Sequence, residues 1–416
     1  MAQLESVADL IMGQSPPSSC YNEVGDGLPF FQGKADFGPR HPKERVYCSA
    51  PRKVAEPGDI LMSVRAPVGP VNLADRECCI GRGLAAIRAR DIDSEFLYFN
   101  LIHAEKLIAG LGTGSTFHAI NKNQLSFVEV NEPGFDGAEQ AKIASVLNLV
   151  QKAIEQQERL IALTTELKKS LMHKLFTEGL RGGPQKQTEI GPVPQSWELV
   201  RLNDVCTFLS GGTPSKMRPE YWSGSIPWVS PKDMKRPRLS YVPDHISEAA
   251  LKDGSTLAPV GAVFVVIRGM ILANDVPVAL AEVPMAFNQD MKAVIPGPHI
   301  ESGFLLYALT AFRPLLSRKV GRSAHGTMTL MSSEISQFII PLPDKDTQRE
   351  VASAIKTLER KHVQHQSKHA ALSDLFRTLL HQLMTGQIRT EDLALPESGV
   401  RTQAHREAPR ALRIQR

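Results

Sequence analysis

The feature that most constrains this chain is that it repeats itself. Residues 140–177 align without a gap on residues 348–385, at a constant offset of 208. Identical pairs include Gln140/Gln348, Ala144/Ala352, Ser145/Ser353, Leu167/Leu375, Leu171/Leu379, His173/His381, Leu175/Leu383 and Thr177/Thr385. Conservative pairs such as Ile143/Val351, Leu147/Ile355 and Phe176/Met384 fall between them. A chain made of two similar halves can fold about an approximate internal two-fold axis. Such an axis suits a two-part target or a two-fold partner.

Both repeated segments read as long helices. Asp136 and Glu139 place acidic residues where a first helix would begin, and Gly179 lies where it would end. Its apolar stripe runs Ile143, Leu147, Val150, Ile154, Ile161, Leu167, Leu171, Leu175. The second stripe runs Val351, Ile355, Leu358, His362, His365, His369, Leu372, Phe376, Leu379, Leu383, with Asp346 or Thr347 as its expected cap and Gly386 as a stop. Steps of three and four make this a heptad seam, about 60 Å long at ~1.5 Å per residue. A seam that long needs a partner, and the nearest partner is its own repeat. Leu147, Val150, Ile154, Ile161, Leu167 and Leu171 are therefore expected to pair with Val351, Ile355, Leu358, Leu372, Phe376 and Leu379. The three seam histidines read as polar register residues rather than metal ligands.

The repeat extends, with short insertions, into the segments before each helix. Gly58–Arg65 matches Gly261–Arg268, Leu28-Pro29-Phe30 matches Ile226-Pro227-Trp228, and Ser15-Pro16 matches Thr213-Pro214. Both eight-residue runs are apolar, of strand length, and end in Arg. Arg65 and Arg268 thus occupy equivalent places, which suits either a shared structural role or contact with a ligand. Short helices are expected at Ser94–Gly110 and Glu301–Leu316. Each half reads as an α+β domain of many loops followed by a long helix.

The net charge of +4 needs dissecting. The last sixteen residues hold Arg401, Arg406, Arg410, Arg413 and Arg416 against Glu407, so they carry the whole excess. The body is balanced, and its charge alone does not argue for nucleic acid. The five cysteines (Cys20, Cys48, Cys78, Cys79, Cys206) form no C-x-x-C spacing, which fits a reduced compartment. No apolar run reaches bilayer length, and the start lacks a basic segment before an apolar core. A cytoplasmic protein without membrane contact is expected.

No catalytic pattern stands out. Gly27–Lys34 imitates a phosphate loop, but has one residue too many between its glycines, and Ala35 stands where Ser or Thr would hold magnesium. Asn131-Glu-Pro-Gly-Phe135 departs from the N-P-P-F pattern of adenine methyltransferases at Glu132 and Gly134. No Ser elbow, H-E-x-x-H or glycine-rich cofactor loop occurs. The chain is expected to be non-catalytic, with no cofactor and no metal.

The second half carries Trp197-Glu-Leu-Val-Arg-Leu-Asn-Asp-Val205, Gly211-Gly-Thr-Pro-Ser215 and Tyr221-Trp-Ser-Gly-Ser-Ile-Pro-Trp-Val-Ser-Pro-Lys-Asp-Met234. It closes with Ile339-Ile-Pro-Leu-Pro343 running into Gln348-Arg-Glu-Val-Ala352, and Ile190–Trp197 forms the joint before it. With these motifs the chain resembles the specificity subunits of type I restriction-modification systems, in both halves and over about residues 1–390. The first half lacks the W-x-x-x-x-L opening, and the Arg-rich extension after residue 396 is not a family requirement.

The resemblance implies an α+β chain. Two target recognition domains would be joined by an antiparallel coiled coil with an internal pseudo-two-fold repeat. It places the first recognition domain at 1–135, the first spacer helix at 136–181, a linker at 182–196, the second domain at 197–345, the second helix at 346–387 and a basic disordered tail at 388–416. Implied partners are double-stranded DNA, two methyltransferase subunits and motor-nuclease restriction subunits. Base reading needs polar side chains on groove-facing loops. The first domain offers Gln32, Lys34, Arg40, Lys43, Arg82, Ser115, His118 and Lys122. The second offers Lys216, Lys232, Lys235, Arg236, Asn288, Gln289, Arg322, Ser323 and His325. The rival expectation is a coiled-coil protein scaffold without direct DNA binding.

Overall fold

The computed structural model describes residues 2–112, 119–131, 134–323 and 326–393. Ser115, His118, His325 and the Arg-rich tail lie outside them. The described chain forms two compact units. Unit 1 combines the N-terminal part, through Glu158, with the segment from Lys368 onward; unit 2 comprises Arg159–Ser367.

In unit 1 a four-stranded antiparallel sheet runs in the order Ala8–Met12, Leu84–Ala89, Ile60–Ser63, Val71–Leu73. A second, five-stranded sheet contains the parallel pair Leu28–Phe31 and Cys78–Ile80. Unit 2 repeats the plan. Cys206–Ser210, Met291–Pro296, Val263–Val266 and Val278–Ala281 are consecutive neighbours in one sheet, and Ile226–Val229 pairs in parallel with Met285–Phe287. Ile60–Ser63 and Val263–Val266 are buried along their whole length, as expected of apolar runs covered on both faces. The helices Ser94–Leu111 and Ser302–Ala311 cover them at equivalent positions.

The first long helix spans Gly137–Glu178 and the second Lys345–Met384. Each ends at a glycine of positive φ, Gly179 (74°) and Gly386 (70°), where the left-handed conformation stops helical propagation. Asp136 accepts the Glu139 amide at 2.8 Å and caps the first helix. The cap of the second is Asp344, not Asp346 or Thr347. Its carboxylate accepts both the amide (2.9 Å) and the hydroxyl (2.6 Å) of Thr347, which hold it below its ordinary pKa.

A duplicated glutamine fastens each helix to its domain. Buried Gln140 accepts the Asp93 amide (3.0 Å) and donates to the Phe135 carbonyl (3.4 Å). Buried Gln348 accepts the Glu301 amide (2.8 Å) and donates to the Pro343 carbonyl (2.8 Å). Every partner is again 208 residues apart. An arginine adds a second fastening in each unit. Arg40 stacks on Tyr98 and bonds Glu95, Asn148 and Gln151. Arg238 stacks on Tyr307, whose hydroxyl donates to Glu359, the positional equivalent of Gln151.

The two helices pair antiparallel in each unit. Glu158 meets His369 in unit 1; Thr164 meets His362 and Lys168 meets Glu359 in unit 2. The expected apolar seam needs correction, however. Fully buried Leu147, Val351 and Ile355 pack into the globular cores at the helix starts, not only against the other helix. Leu171 and Leu379 lie half-buried against those cores, and Phe376 contacts Phe99. Val150, Ile154, Ile161, Leu358 and Leu372 are only half-buried. Leu167 is 53% exposed and leaves the seam altogether. The cause is local: polar pairs such as Thr164–His362 and Lys168–Glu359 occupy positions that a heptad reading assigns to apolar contacts.

Each globular core is completed by helix ends from both copies. In unit 1, Ile143, Ala144 and Leu147 are joined by Leu380, Leu383 and Met384. In unit 2, Val351 and Ile355 are joined by Met172, Leu175 and Phe176. The last three of each set are equivalent, again at offset 208.

Candidate nucleic-acid interface

The parallel strand pair positions the same loops in both units. In unit 1 the Gly81 amide donates to the Phe31 carbonyl (2.8 Å) just beyond Cys78–Ile80. In unit 2 the Asn288 amide donates to the Val229 carbonyl (2.9 Å) just beyond Met285–Phe287. Backbone bonding therefore equates Gly81 with Asn288 and Arg82 with Gln289. The Gln14 amide reaches Ile80 and the Gly212 amide reaches Phe287, which equates Ser15 with Thr213. Arg65 and Arg268 bridge to Ala119 and Thr329 at the ends of their strands.

In unit 1 these loops enclose a shallow hollow of ≈ 760 Å³. Ser15, Gln32, Lys34, Asp36, Arg65 and Arg82 are among its lining residues. Asp36 is occupied: it accepts the Gln32 amide at 2.7 Å and pairs with Arg45 at 2.6 Å. Among the described residues, the exposed side chains of Lys34, Arg65 and Arg82 make no hydrogen bond or ion pair. Three cations thus converge without a neutralising acid, an arrangement that attracts anionic backbones and offers donors to base edges.

Unit 2 has a hollow of ≈ 720 Å³, lined by residues including Lys216, Trp222, Trp228, Lys232, His245 and Asn288. It differs in chemistry. Trp222 and Trp228 meet edge to face at 5.0 Å, with indole nitrogens bonded to the carbonyls of Ser215 and Gly212. Lys232 donates to Asp244 at 2.6 Å, a bond that raises the lysine's pKa. Arg268 lies 3.9 Å from Asp290. Asn288 donates to the Thr213 hydroxyl at 2.9 Å, and that hydroxyl donates to Gln289.

Of the residues singled out from the sequence, Gln32, Lys34 and Arg82 come together in one hollow, and Lys216, Lys232 and Asn288 in the other. Gln289 adjoins the second through Thr213. Arg322 lies on a short hairpin whose Thr329 bridges to Arg268, and the Ser323 amide closes that hairpin on Thr327. Lys43, Lys122, Lys235 and Arg236 are exposed but line neither hollow. Arg40 is corrected: with 14% of its side chain exposed and its guanidinium bonded to the first long helix, it holds the fold together. Ser15, Arg65 and the paired tryptophans were not among the candidates. The match of Ser15-Pro16 to Thr213-Pro214 was the available signal for the first of these.

The described residues contain no group of three or more His, Cys, Asp or Glu side chains able to hold a metal ion, and all five cysteines are free thiols. Burial pushes Cys78 and Cys206 up to about 12, so they are inert packing residues rather than nucleophiles. No described helix is long and apolar enough to cross a membrane.

The chain was compared with known proteins. A putative type I restriction enzyme MjaX specificity subunit from Methanocaldococcus jannaschii is 41% identical over 179 residues, 42% of each chain. The EcoR124I/EcoR124II specificity subunit from Escherichia coli is 35% identical over 160 residues, 38% of this chain and 40% of the relative. The chain thus spans about two fifths of the length of these curated relatives. The crystal structure of a type I restriction-modification S subunit from M. genitalium shares the fold, with TM-score 0.64 over 92% of this chain and 95% of that one at 18% identity. The family described as the type I restriction modification DNA specificity domain matches twice, over residues 1–165 and 194–372. Two copies of one domain, each with the same loop frame, place the chain in that family: it is a member of the type I restriction-modification DNA specificity family.

Proposed function

We propose that the chain is the DNA-recognition subunit of a cytoplasmic type I restriction-modification complex, without catalytic activity of its own. Its two recognition domains, 1–135 and 197–345, read the two halves of a split target. The observation that carries this reading is the pair of equivalent loop clusters, held by the same backbone bonds, each beside a hollow and each bearing different side chains. One scaffold used twice with different linings suits two different half-sites. Phosphate contacts position a protein on the duplex, and base-edge contacts specify the sequence.

The spacer between half-sites is set by the antiparallel helices, and two modification subunits dock along them. Supporting the second statement, Leu167 and Leu375 are equivalent and both exposed, at 53% and 45%. One apolar position left open twice suits two copies of one partner. Motor-nuclease subunits join the assembled complex.

The test is a gel shift on random duplex fragments with and without the modification subunits, followed by mapping of methylated adenines. A bipartite motif is expected. Binding to modification subunits without sequence-directed methylation would instead identify a protein scaffold.

A further inference from the structure

The two units serve as an internal control for each other. Around the parallel strand pair their backbone bonds are equivalent, so a residue kept in both is separable there from one that changes. Arg65 and Arg268 are kept, at the ends of equivalent strands. Arg82 and Gln289 occupy one position and differ.

The geometry at that position favours a single projecting side chain. Arg82 stands between Gly81 and Gly83. A Cβ at Gly83 would lie 2.2 Å from the Gln32 carbonyl oxygen, and one at Gly81 would lie 3.2 Å from the Phe30 ring. The loop therefore packs tightly against the Phe30–Gln32 segment, with Arg82 as the side chain between its two glycines. The Arg82 amide is fixed to the Ser15 hydroxyl at 3.3 Å. In unit 2 the loop is braced by side chains. Asn288 is tied to Thr213 and accepts the Asp290 amide at 2.6 Å. The Thr213 hydroxyl donates to the Gln289 oxygen, which holds the exposed amide and leaves its NH2 group without a partner among the described residues.

Resting on the function proposed above, we propose that Arg82 and Gln289 are equivalent base-reading side chains, and that Arg65 and Arg268 are sequence-blind phosphate contacts. A guanidinium fork matches the O6 and N7 acceptors of guanine, and a glutamine amide matches the N6 donor and N7 acceptor of adenine. The half-site read by unit 1 then contains a guanine recognised by Arg82. The half-site read by unit 2 contains an adenine recognised by Gln289. The kept arginines supply charge that any sequence accepts.

The experiment uses the full chain assembled with its modification subunits and a duplex library randomised in both half-sites. Arg82→Gln should reduce the guanine preference at one position of the first half-site by roughly 5- to 150-fold, leaving the second half-site unchanged. Gln289→Arg should alter one position of the second half-site only. Arg65→Ala should weaken all sequences alike and lower the log–log salt slope by about one, with the motif intact. If R82Q assembles poorly, Arg82→Lys keeps the charge and loses the planar fork, so it should weaken the guanine preference by less than R82Q. A wild-type motif that R82Q and R82K leave intact overturns this inference alone, as does a motif that R65A changes. A wild-type complex that selects no motif overturns the proposed function, and this inference with it.

Discussion

Unit 1 and unit 2 are built on one plan and fastened by different chemistry. At the position where Gln151 serves unit 1, unit 2 has Glu359, so an amide acceptor for the arginine becomes a carboxylate. The loops at the parallel strand pair differ in a related way. Unit 1 leaves Lys34, Arg65 and Arg82 unpaired among the described residues, whereas unit 2 offsets Lys232 with Asp244 and Arg268 with Asp290 and adds two indoles. Duplication has kept the backbone bonding and changed the side chains on it. Positions that define the frame, such as Gln140 and Gln348, stay the same, as do the cations Arg65 and Arg268; Arg82 and Gln289 have diverged.

The strongest way to break this comparison is to replace one copy by the other. In residues 1–183 the core of unit 1 lacks Leu380, Leu383 and Met384. A second copy of the same fragment offers Met172, Leu175 and Phe176 at equivalent positions. The fragment should therefore form a symmetric dimer, since each large apolar side chain buried contributes about 1.5–3 kcal/mol. Sedimentation showing only monomer would mean that the two helix ends are not interchangeable.

Next in size is the contrast between the two locks. Glu359 and Arg238 have side chains only 11% and 19% exposed. Glu359→Ala leaves Arg238 with Glu282 at 3.7 Å but removes the acceptor of the Tyr307 hydroxyl and the partner of Lys168, and should cost about 2 kcal/mol. Gln151→Ala removes one acceptor from Arg40, which keeps Glu95 and Asn148, and should cost about 1 kcal/mol. Denaturant titration of the full chain compares them, and equal losses would erase the distinction.

The glutamine fastenings should differ less. Gln348→Ala and Gln140→Ala each leave a backbone amide without its acceptor, at about 1–3 kcal/mol. The shorter bonds of Gln348 predict the larger loss. A greater effect at Gln140, read by the same titration, would reverse that ranking.

The smallest effect concerns acid. In unit 1, His103 lies 3.3 Å from His381, and burial together with that neighbour lowers its pKa. In unit 2 the position equivalent to His103 is Ala311. A histidine with a lowered folded pKa binds its proton more readily in the unfolded chain. The unit keeps its full stability above the ordinary value near 6.5 and loses part of it as pH falls below that. Hydrogen exchange between pH 7.5 and 5.5, corrected for intrinsic rates, should show Ser94–Leu111 losing protection relative to Ser302–Ala311. Equal losses would show that the histidine pair is not the cause.

The repeat was legible from self-similarity at a fixed offset and the two long helices from periodicity, while the family was legible only as a resemblance carried by motifs of the second half. The roles of individual residues along a stripe were not. Leu147, Leu167 and Leu171 share one periodic pattern. Whether a stripe position meets a globular core, a polar partner helix or solvent depends on where the helix enters its domain. Arg40 read as a loop cation because its partners, Glu95 and Asn148, lie 55 and 108 residues away. Arg65 was visible as a strand end, but its place beside Arg82 comes from strand pairing between distant segments. The paired tryptophans were quoted as a motif, and only the fold shows that they wall a hollow. The cap of the second helix was missed by two residues because Asp344, Asp346 and Thr347 all carry suitable side chains.

One feature of the cores bears on how the chain is made. Unit 2 is contiguous, from Arg159 to Ser367, while unit 1 needs residues beyond Lys368 to bury its apolar face. A ribosome delivers the first domain early but supplies Leu380, Leu383 and Met384 only near the end. During synthesis unit 2 can therefore finish first, and the part that emerges first is sealed last. Until then an unfinished first unit exposes a surface shaped for Met172, Leu175 and Phe176 of any neighbouring chain. Polysomes carrying several such nascent chains are where exchanged dimers would arise.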